Sequence, residues 1–277
     1  YTLVYTLSLH DALPILTDET MLAAAMDGVD VVFHLAAVVS VEQSVEAPTE
    51  AHRVNVDGTL AVLERARAED ARVVVASSAA VYGDAGDPPI DESTPGDPRS
   101  PYGADKLAAD VYARAYESTY GVPTVVLRYF NVYGPGQRGP YSGVIDAFLR
   151  RAVAGEPLVI HGDGRQTRDF VHVFDVVRAN LAAATTEHTG VAFNVGTGES
   201  IAIRDLAALV RDVADADSGV RHTEPRPGDV RHSRASTDRV EAHLGVEPRI
   251  RLREGLTHLL AHRRDAGEAA GPPRRGE

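Results

Sequence analysis

The chain carries 28 Lys and Arg residues, and a single one of them, Lys106, is a lysine. It stands in the stretch Arg99-Ser100-Pro101-Tyr102-Gly103-Ala104-Asp105-Lys106. Arginine offers a wide planar fork, whereas lysine offers a compact point charge, and position 106 is where this chain uses the latter. Pro101 suits the first turn of a helix, and Ala104, Leu107, Ala108, Ala109 and Val111 continue it. Tyr102 and Lys106 are then i and i+4 on one helix face. A cation near a phenol favours phenolate and lowers a pKa that starts near ~10. The pair would then act as a proton acceptor near neutral pH. Taken alone, it is equally a chance meeting on a solvated helix.

Two neighbouring motifs decide between these readings. Ser78, in Ser77-Ser78-Ala79-Ala80-Val81-Tyr82-Gly83, precedes Tyr102 by 24 residues, and Arg128-Tyr129-Phe130-Asn131-Val132-Tyr133-Gly134-Pro135 begins 22 residues after Lys106. Three motifs at these spacings resemble the extended short-chain dehydrogenase/reductases, the NAD-dependent epimerase/dehydratase family. Within it they look most like the UDP-hexose 4-epimerases. The likeness runs from about residue 17 to about residue 260.

The resemblance implies roles residue by residue. Ser78, Tyr102 and Lys106 match the catalytic set, with Ser78 bridging the substrate hydroxyl and Tyr102. Leu35, Ala36, Ala37, Asn55 and Phe130 match positions that line NAD, together with Ser78, Tyr102 and Lys106. Asn131, Val159, His161, Arg168, Arg226, Asp229 and Ser233, with Ser78, match the sugar-nucleotide contacts. A diphosphate suits guanidinium forks, and a ribose suits a carboxylate. Each residue also has a plainer reading: Ser78 as a turn serine, Asn55 as a helix cap, Phe130 as core, the arginines as solvated charges, Ser233 as an exposed loop residue. His161 has no partners at metal-ligand spacing, so no metal is expected.

The implied activity is NAD-dependent 4-epimerisation of a UDP-hexose (UDP-glucose or UDP-galactose) through a transient 4-keto sugar. Ser233 is small where a bulky Tyr would reject an N-acetyl group, so the N-acetyl sugars are expected to be tolerated. Sugar-nucleotide 4,6-dehydratases and uronate decarboxylases are the nearest alternatives. Their acidic residues after the catalytic hydroxyl residue correspond here to Ala79 and Ala80, which do no acid–base work. A non-catalytic NAD-binding regulator on the same fold is an alternative of another class, and an inactive truncated product is a third.

Composition sets the outer bounds. The 277 residues suffice for a large core. A net charge of −12 argues against nucleic acid or an anionic membrane as partner. There is no Cys, hence neither disulfide framework nor thiolate chemistry. No apolar run approaches the ~20 residues of a membrane span, and the expected location is the cytoplasm. A UDP-sugar is the expected partner, and the resemblance implies a homodimer.

The hydrophobic pattern gives the fold class. Val29–Leu35, Arg72–Ala76 and Pro123–Arg128 are apolar runs suited to strands buried on both faces of a parallel sheet. They alternate with helical stretches at 18–26, 50–69 and 101–119, which is a doubly wound, Rossmann-like α/β pattern. Further helices are expected at 143–154, 173–185, 203–213, 237–243 and 251–262, with strands at 158–160 and 192–195. Residues 16–141 read as a partial NAD-binding domain with 170–200 returning to its sheet. Residues 142–169 and 201–262 read as a smaller substrate-binding region, all three late helices capping the substrate side. Residues 263–277 read as a disordered tail. Residues 1–15 fit nothing that follows and read as a non-native leader. No Gly-rich turn between a strand and a helix precedes Val29, so the first βαβ part of the fold reads as missing. On that reading the chain as given binds NAD poorly, and the strands at 29–35 and 72–76 present uncovered apolar faces.

Overall fold

The computed structural model describes residues 15–86, 89–137, 143–226 and 229–265. The expected leader up to residue 14 and the expected tail beyond residue 265 lie outside the described residues. Ile15 packs against the core, and the last helix continues past the expected end of order to Asp265.

Asp18 starts helix α1 (Glu19–Met26) by accepting from the N–H groups of Thr20 and Met21 at 2.9 and 3.0 Å. Strand β1 (Val31–His34), α2 (Val41–Glu46) and α3 (Pro48–His52) follow. The single helix expected over 50–69 is broken: α3 runs through a π-helical turn, Arg53–Asp57, into α4 (Gly58–Ala68). Such turns recur at functional positions in helices, and this one carries Asn55. Strand β2 (Arg72–Ser78) includes both serines, and a 3₁₀ turn, Ala79–Tyr82, follows. Gly83 closes that turn at φ 60°, ψ −134°, a region a side chain scarcely enters. A Cβ there would lie 1.9 Å from the Asp97 carbonyl oxygen.

Helix α5 (Pro101–Tyr120) is capped by Ser100, whose hydroxyl accepts from Gly103 N–H at 3.1 Å, and ends on Gly121 in the left-handed conformation. Then come β3 (Thr124–Tyr129), β4 (Asn131–Tyr133), α6 (Gly143–Val153), β5 (Leu158–His161), β6 (Thr167–Arg168), β7 (Phe170–His172) and α7 (Val173–Thr185). The chain finishes with β8 (Val191–Val195), β9 (Ile201–Ala202), α8 (Ile203–Ala214), β10 (Val220–Thr223), α9 (Asp238–Leu244) and α10 (Leu252–Asp265).

Strands β1-β2-β3-β8 form one all-parallel sheet. Alternate side chains go to opposite faces. Val73, Val75 and Val126 pack with Val62, Leu63 and Ala66 of α4 and Ala113 of α5. Val74, Val125, Leu127 and Phe193 pack with Val176, Ala179 and Ala183 of α7. Covered on both faces, this is a doubly wound α/β sheet. The expected exposure of 72–76 does not occur, since Val73, Val74 and Val75 are 0–1% exposed between β1 and β3. It is confined to β1, the edge strand among the described residues, where Val31, Val32 and Phe33 are half-buried.

A second core, with Phe148, Leu149, Leu158, Leu206, Val210 and Leu256, joins α6, β5, α8 and α10. Helix α9 is not part of it. Its Val240 is 3% exposed among Val74, Val125 and Phe193, so α9 covers the main sheet instead of the substrate side. No described helix is long and apolar enough to cross a membrane.

Candidate active site

Tyr102 and Lys106 sit in the first two turns of α5, where that helix crosses the carboxyl end of β2. Lys106 is 7% exposed and donates to the Ala76 carbonyl at 2.8 Å. Burial lowers its pKa from 10.5 to about 8, with the neighbouring Asp105 carboxylate opposing. Ser78 Oγ accepts from Ala80 N–H at 3.1 Å, which leaves its proton for another acceptor. Burial raises the pKa of the Tyr102 phenol, and the nearby Ser78 hydroxyl partly opposes the shift. The expected lowering by Lys106 is absent. The ammonium is committed to a backbone carbonyl, and the group it visibly perturbs is His34.

His34 ends β1, 7% exposed. Its Nε2 lies 2.9 Å from Thr59 Oγ1, and Thr59 donates its own proton to the Asn55 carbonyl at 2.6 Å. The hydroxyl proton being spent, His34 Nε2 must be the donor. Burial, then the Lys106 charge, lowers the His34 pKa from 6.5 to about 3. The imidazole is thus held neutral beneath the lysine.

The residues expected around a dinucleotide divide. Leu35 is 49% exposed and Ala37 4%, with Ala36 half-buried between them at the end of β1. Asn55 is 2% exposed and spends its whole amide on Val38, accepting from its N–H at 2.8 Å and donating to its carbonyl at 3.1 Å. It shapes the loop after β1 from behind. Phe130 is 4% exposed in a cluster with Val81, Tyr82, Ile90 and Ala235, as core does. That cluster joins the Ser78 turn to the second group of expected residues.

The second group is built on β6, β7 and the segment leading to Ala235. Arg168 donates to the Thr167 carbonyl at 2.8 Å and forms an ion pair with Asp229. Ser233 is 8% exposed, its N–H on the Thr167 carbonyl at 3.2 Å, so it is no exposed loop serine. Val159 and His161 lie on β5, and His161 Nδ1 is 2.9 Å from Thr223 Oγ1 on β10. Asn131 and Arg226 are exposed. A recess of about 580 Å³ opens beside Arg168, walled by Phe170, Ile201 and Leu209 with Arg249 and Arg251 nearby. Among the described residues no group of three or more His, Cys, Asp or Glu could hold a metal ion.

Sequence reasoning missed Asp169. It is 0% exposed and accepts from Thr197 N–H at 2.8 Å, Thr197 Oγ1 at 2.6 Å, Gly198 N–H at 3.1 Å and Ala235 N–H at 3.1 Å. Burial raises its pKa against those bonds. One carboxylate thereby pins the three segments that carry Arg168, the 196–199 loop and Ser233. Its place directly after Arg168 was the available signal. His34, a polar residue ending an apolar strand, was equally visible.

A model of the NAD dependent epimerase/dehydratase family matches residues 14–196. The UDP-glucose 4-epimerase of Mycolicibacterium smegmatis is 38% identical over 235 residues, which cover 83% of this chain and 75% of that protein. A dTDP-glucose 4,6-dehydratase of Streptomyces griseus is 34% identical over 238 residues, covering 85% and 72%. Among solved structures, the UDP-glucose 4-epimerase of Thermotoga maritima with UDP-glucose has a TM-score of 0.88 at 35% identity, over 91% of this chain and 83% of that one. The UDP-glucose 4-epimerase of Thermus thermophilus in complex with NAD has a TM-score of 0.85 at 35% identity, over the same shares.

The buried imidazole has a consequence for stability. Its folded pKa, about 3, lies below the unfolded value of 6.5. Between those values the unfolded chain binds a proton that the folded chain refuses, so stability falls as pH drops through this window. From pH 7 to pH 5 the wild type should lose about 2 kcal/mol more than a His34→Gln variant, which keeps a donor for Thr59. Urea unfolding at the two pH values measures it, and equal losses would contradict a neutral buried His34.

Proposed function

The chain belongs to the NAD-dependent epimerase/dehydratase family, and within it we propose that it epimerises a UDP-hexose at C4, interconverting UDP-galactose and UDP-glucose. The observation that carries this reading is the convergence of Ser78, at the end of β2, with Tyr102 and Lys106 on α5, the Lys106 ammonium seated on the Ala76 carbonyl of the same strand. The turn that follows presents Ala79 and Ala80. It therefore has no acid to expel water or assist loss of carbon dioxide, which favours epimerisation over the dehydratase reading.

The nicotinamide end of NAD fits the residues present. Ala36 and Ala37 leave a strand end open to a flat ring. Lys106 has spent one of its three donors, and Ser77 Oγ, in a residue 3% exposed, has no hydrogen-bond partner. Leu35 to Ala37, Ser77, Tyr102 and Lys106 would hold that end. Bound there, the nicotinamide supplies a hydride acceptor that later returns the hydride, and a positive charge near the phenol. Tyr102 takes the proton of the sugar 4-hydroxyl, and Ser78, holding its own proton toward Tyr102, relays it. Lys106 would orient the ribose with the donors it has left. The resulting 4-keto sugar turns over while Arg168 and Arg226 grip the diphosphate and Asp229 meets the ribose. Asp229 releases Arg168 from their ion pair as it does so. Ser233, small and held at the Thr167 backbone, leaves room for an N-acetyl group. We also propose a homodimer through α5 and α2. Val111 and Tyr112 on α5 and Val45 on α2 are 48%, 42% and 61% exposed; a monomer mass by light scattering would contradict it.

The purified protein with NAD, offered UDP-galactose, should yield UDP-glucose, and offered UDP-N-acetylgalactosamine, the N-acetyl epimer. A 4-keto-6-deoxy product, or release of carbon dioxide from a UDP-uronate without epimerisation, would favour the sibling readings. Tyr102→Phe should lower turnover by on the order of 10²–10⁴. Lys106→Arg should also be damaging, because the fork does not fit a buried seat made for one ammonium. A wild-type rate in Lys106→Arg would remove the argument from the single lysine.

A further inference from the structure

Helix α5 carries a third polar residue on the face of Tyr102 and Lys106. Asp110 follows Lys106 by four positions, is 0% exposed, and has both oxygens engaged. Oδ1 accepts from Arg114 Nε and Oδ2 from Arg128 Nε, each at 2.7 Å. Arg128, on β3, is 5% exposed. Its Nη1 donates to the Tyr82 hydroxyl at 2.8 Å, and its guanidinium stands 5.0 Å from the centre of the Tyr82 ring. Tyr82 in turn donates to Asn194 Oδ1 at 2.6 Å on β8. Asn194 completes its amide on the Ile90 carbonyl at 2.8 Å.

Tyr82 is the last residue of the 3₁₀ turn that Ser78 caps. A chain of bonds therefore leads from the helix that bears Tyr102 to the turn that bears Ser78. A second contact joins the same two elements. Gly103 is helical, so its backbone needs no glycine. A Cβ there would lie 2.7 Å from the Ala80 carbonyl oxygen and 3.0 Å from Pro98 Cβ. The bare backbone beside Tyr102 touches the turn two residues after Ser78.

A buried ion pair is a weak source of net stability, since well-packed apolar residues often serve as well. What it does supply is a fixed direction, because the guanidinium fork donates to its partners in one plane. We propose that the Tyr82–Arg128–Asp110 brace and the close approach at Gly103 together set Ser78 against Tyr102, so that Tyr82, Arg128 and Gly103 are positioning residues for the reaction. Gly103 sets the separation of helix and turn, and the brace sets their angle. The consequence for catalysis rests on the epimerase reading above; the placement of Ser78 against Tyr102 does not.

The test reads that contact without any substrate. A fluorinated tyrosine in place of Tyr102 reports its own ionisation by fluorine NMR. Ser78→Ala should raise its midpoint, because the phenol loses the nearby hydroxyl that favours its charged form. Tyr82→Phe and Gly103→Ala should each raise it by roughly half a unit or more. Adding Ser78→Ala to either should then change little, since the contact is already broken. Tyr82→Phe deletes one oxygen and leaves the ion pair, so it carries the test should Gly103→Ala fail to fold. A midpoint unmoved by Tyr82→Phe, with Ser78→Ala still shifting it as in the wild type, would overturn the proposal. So would a midpoint that Ser78→Ala itself does not move. Neither result bears on which sugar nucleotide is the substrate.

Discussion

The seat of the Lys106 ammonium on the Ala76 carbonyl constrains everything around it. A charge removed from water is tolerated only where hydrogen bonds replace its hydration, and here the replacement comes from the carboxyl end of the central strand β2. That requirement fixes α5 across β2 and β3, and with it the first-turn residue Tyr102. It also fixes the state of the groups nearby. His34 beneath is kept neutral and donates to Thr59, which in turn bonds the Asn55 carbonyl. The ammonium is therefore a structural post in its own right.

The substrate side is organised by the opposite charge. Asp169 gathers backbone and hydroxyl donors from Thr197, Gly198 and Ala235. A carboxylate that collects several donors fixes loops that have little regular structure of their own. Arg168 and Ser233 inherit their positions from it. The two halves meet at the cluster of Val81, Tyr82, Ile90, Phe130 and Ala235, so one apolar contact surface couples the turn after Ser78 to the segment after Ser233.

Much of this was legible in the chain itself. The apolar runs of β2 and β3 announced a sheet covered on both faces, and the i, i+4 spacing announced that Tyr102 and Lys106 share the start of one helix. The electrostatics of that pair were not legible. Spacing along a helix reveals neither that burial dominates the phenol's pKa nor that Ala76 holds the ammonium. The partnership of Asp110 with Arg128 was hidden for a similar reason, one arginine among many with a partner 18 residues away. Helix α9 was misplaced because one buried valine, Val240, decides its side, and periodicity over seven residues does not say which core it joins. Strand β10, mostly exposed and reading Val-Arg-His-Thr, has pairing with β5 as its reason to exist and shows no alternation. Phe130 and Asn55 each had two readings in the sequence. The structure places Asn55 against the Val38 backbone and Phe130 in a buried cluster.

The central claim is that Tyr102 removes a proton while the hydrogen at the same carbon leaves as hydride and returns to the opposite face. Deuterium placed at C4 of UDP-galactose follows that hydrogen through the reaction. The account predicts UDP-glucose that retains the deuterium at C4, with none released to water. Loss of the label to solvent, or its appearance at another carbon of the product, would contradict it.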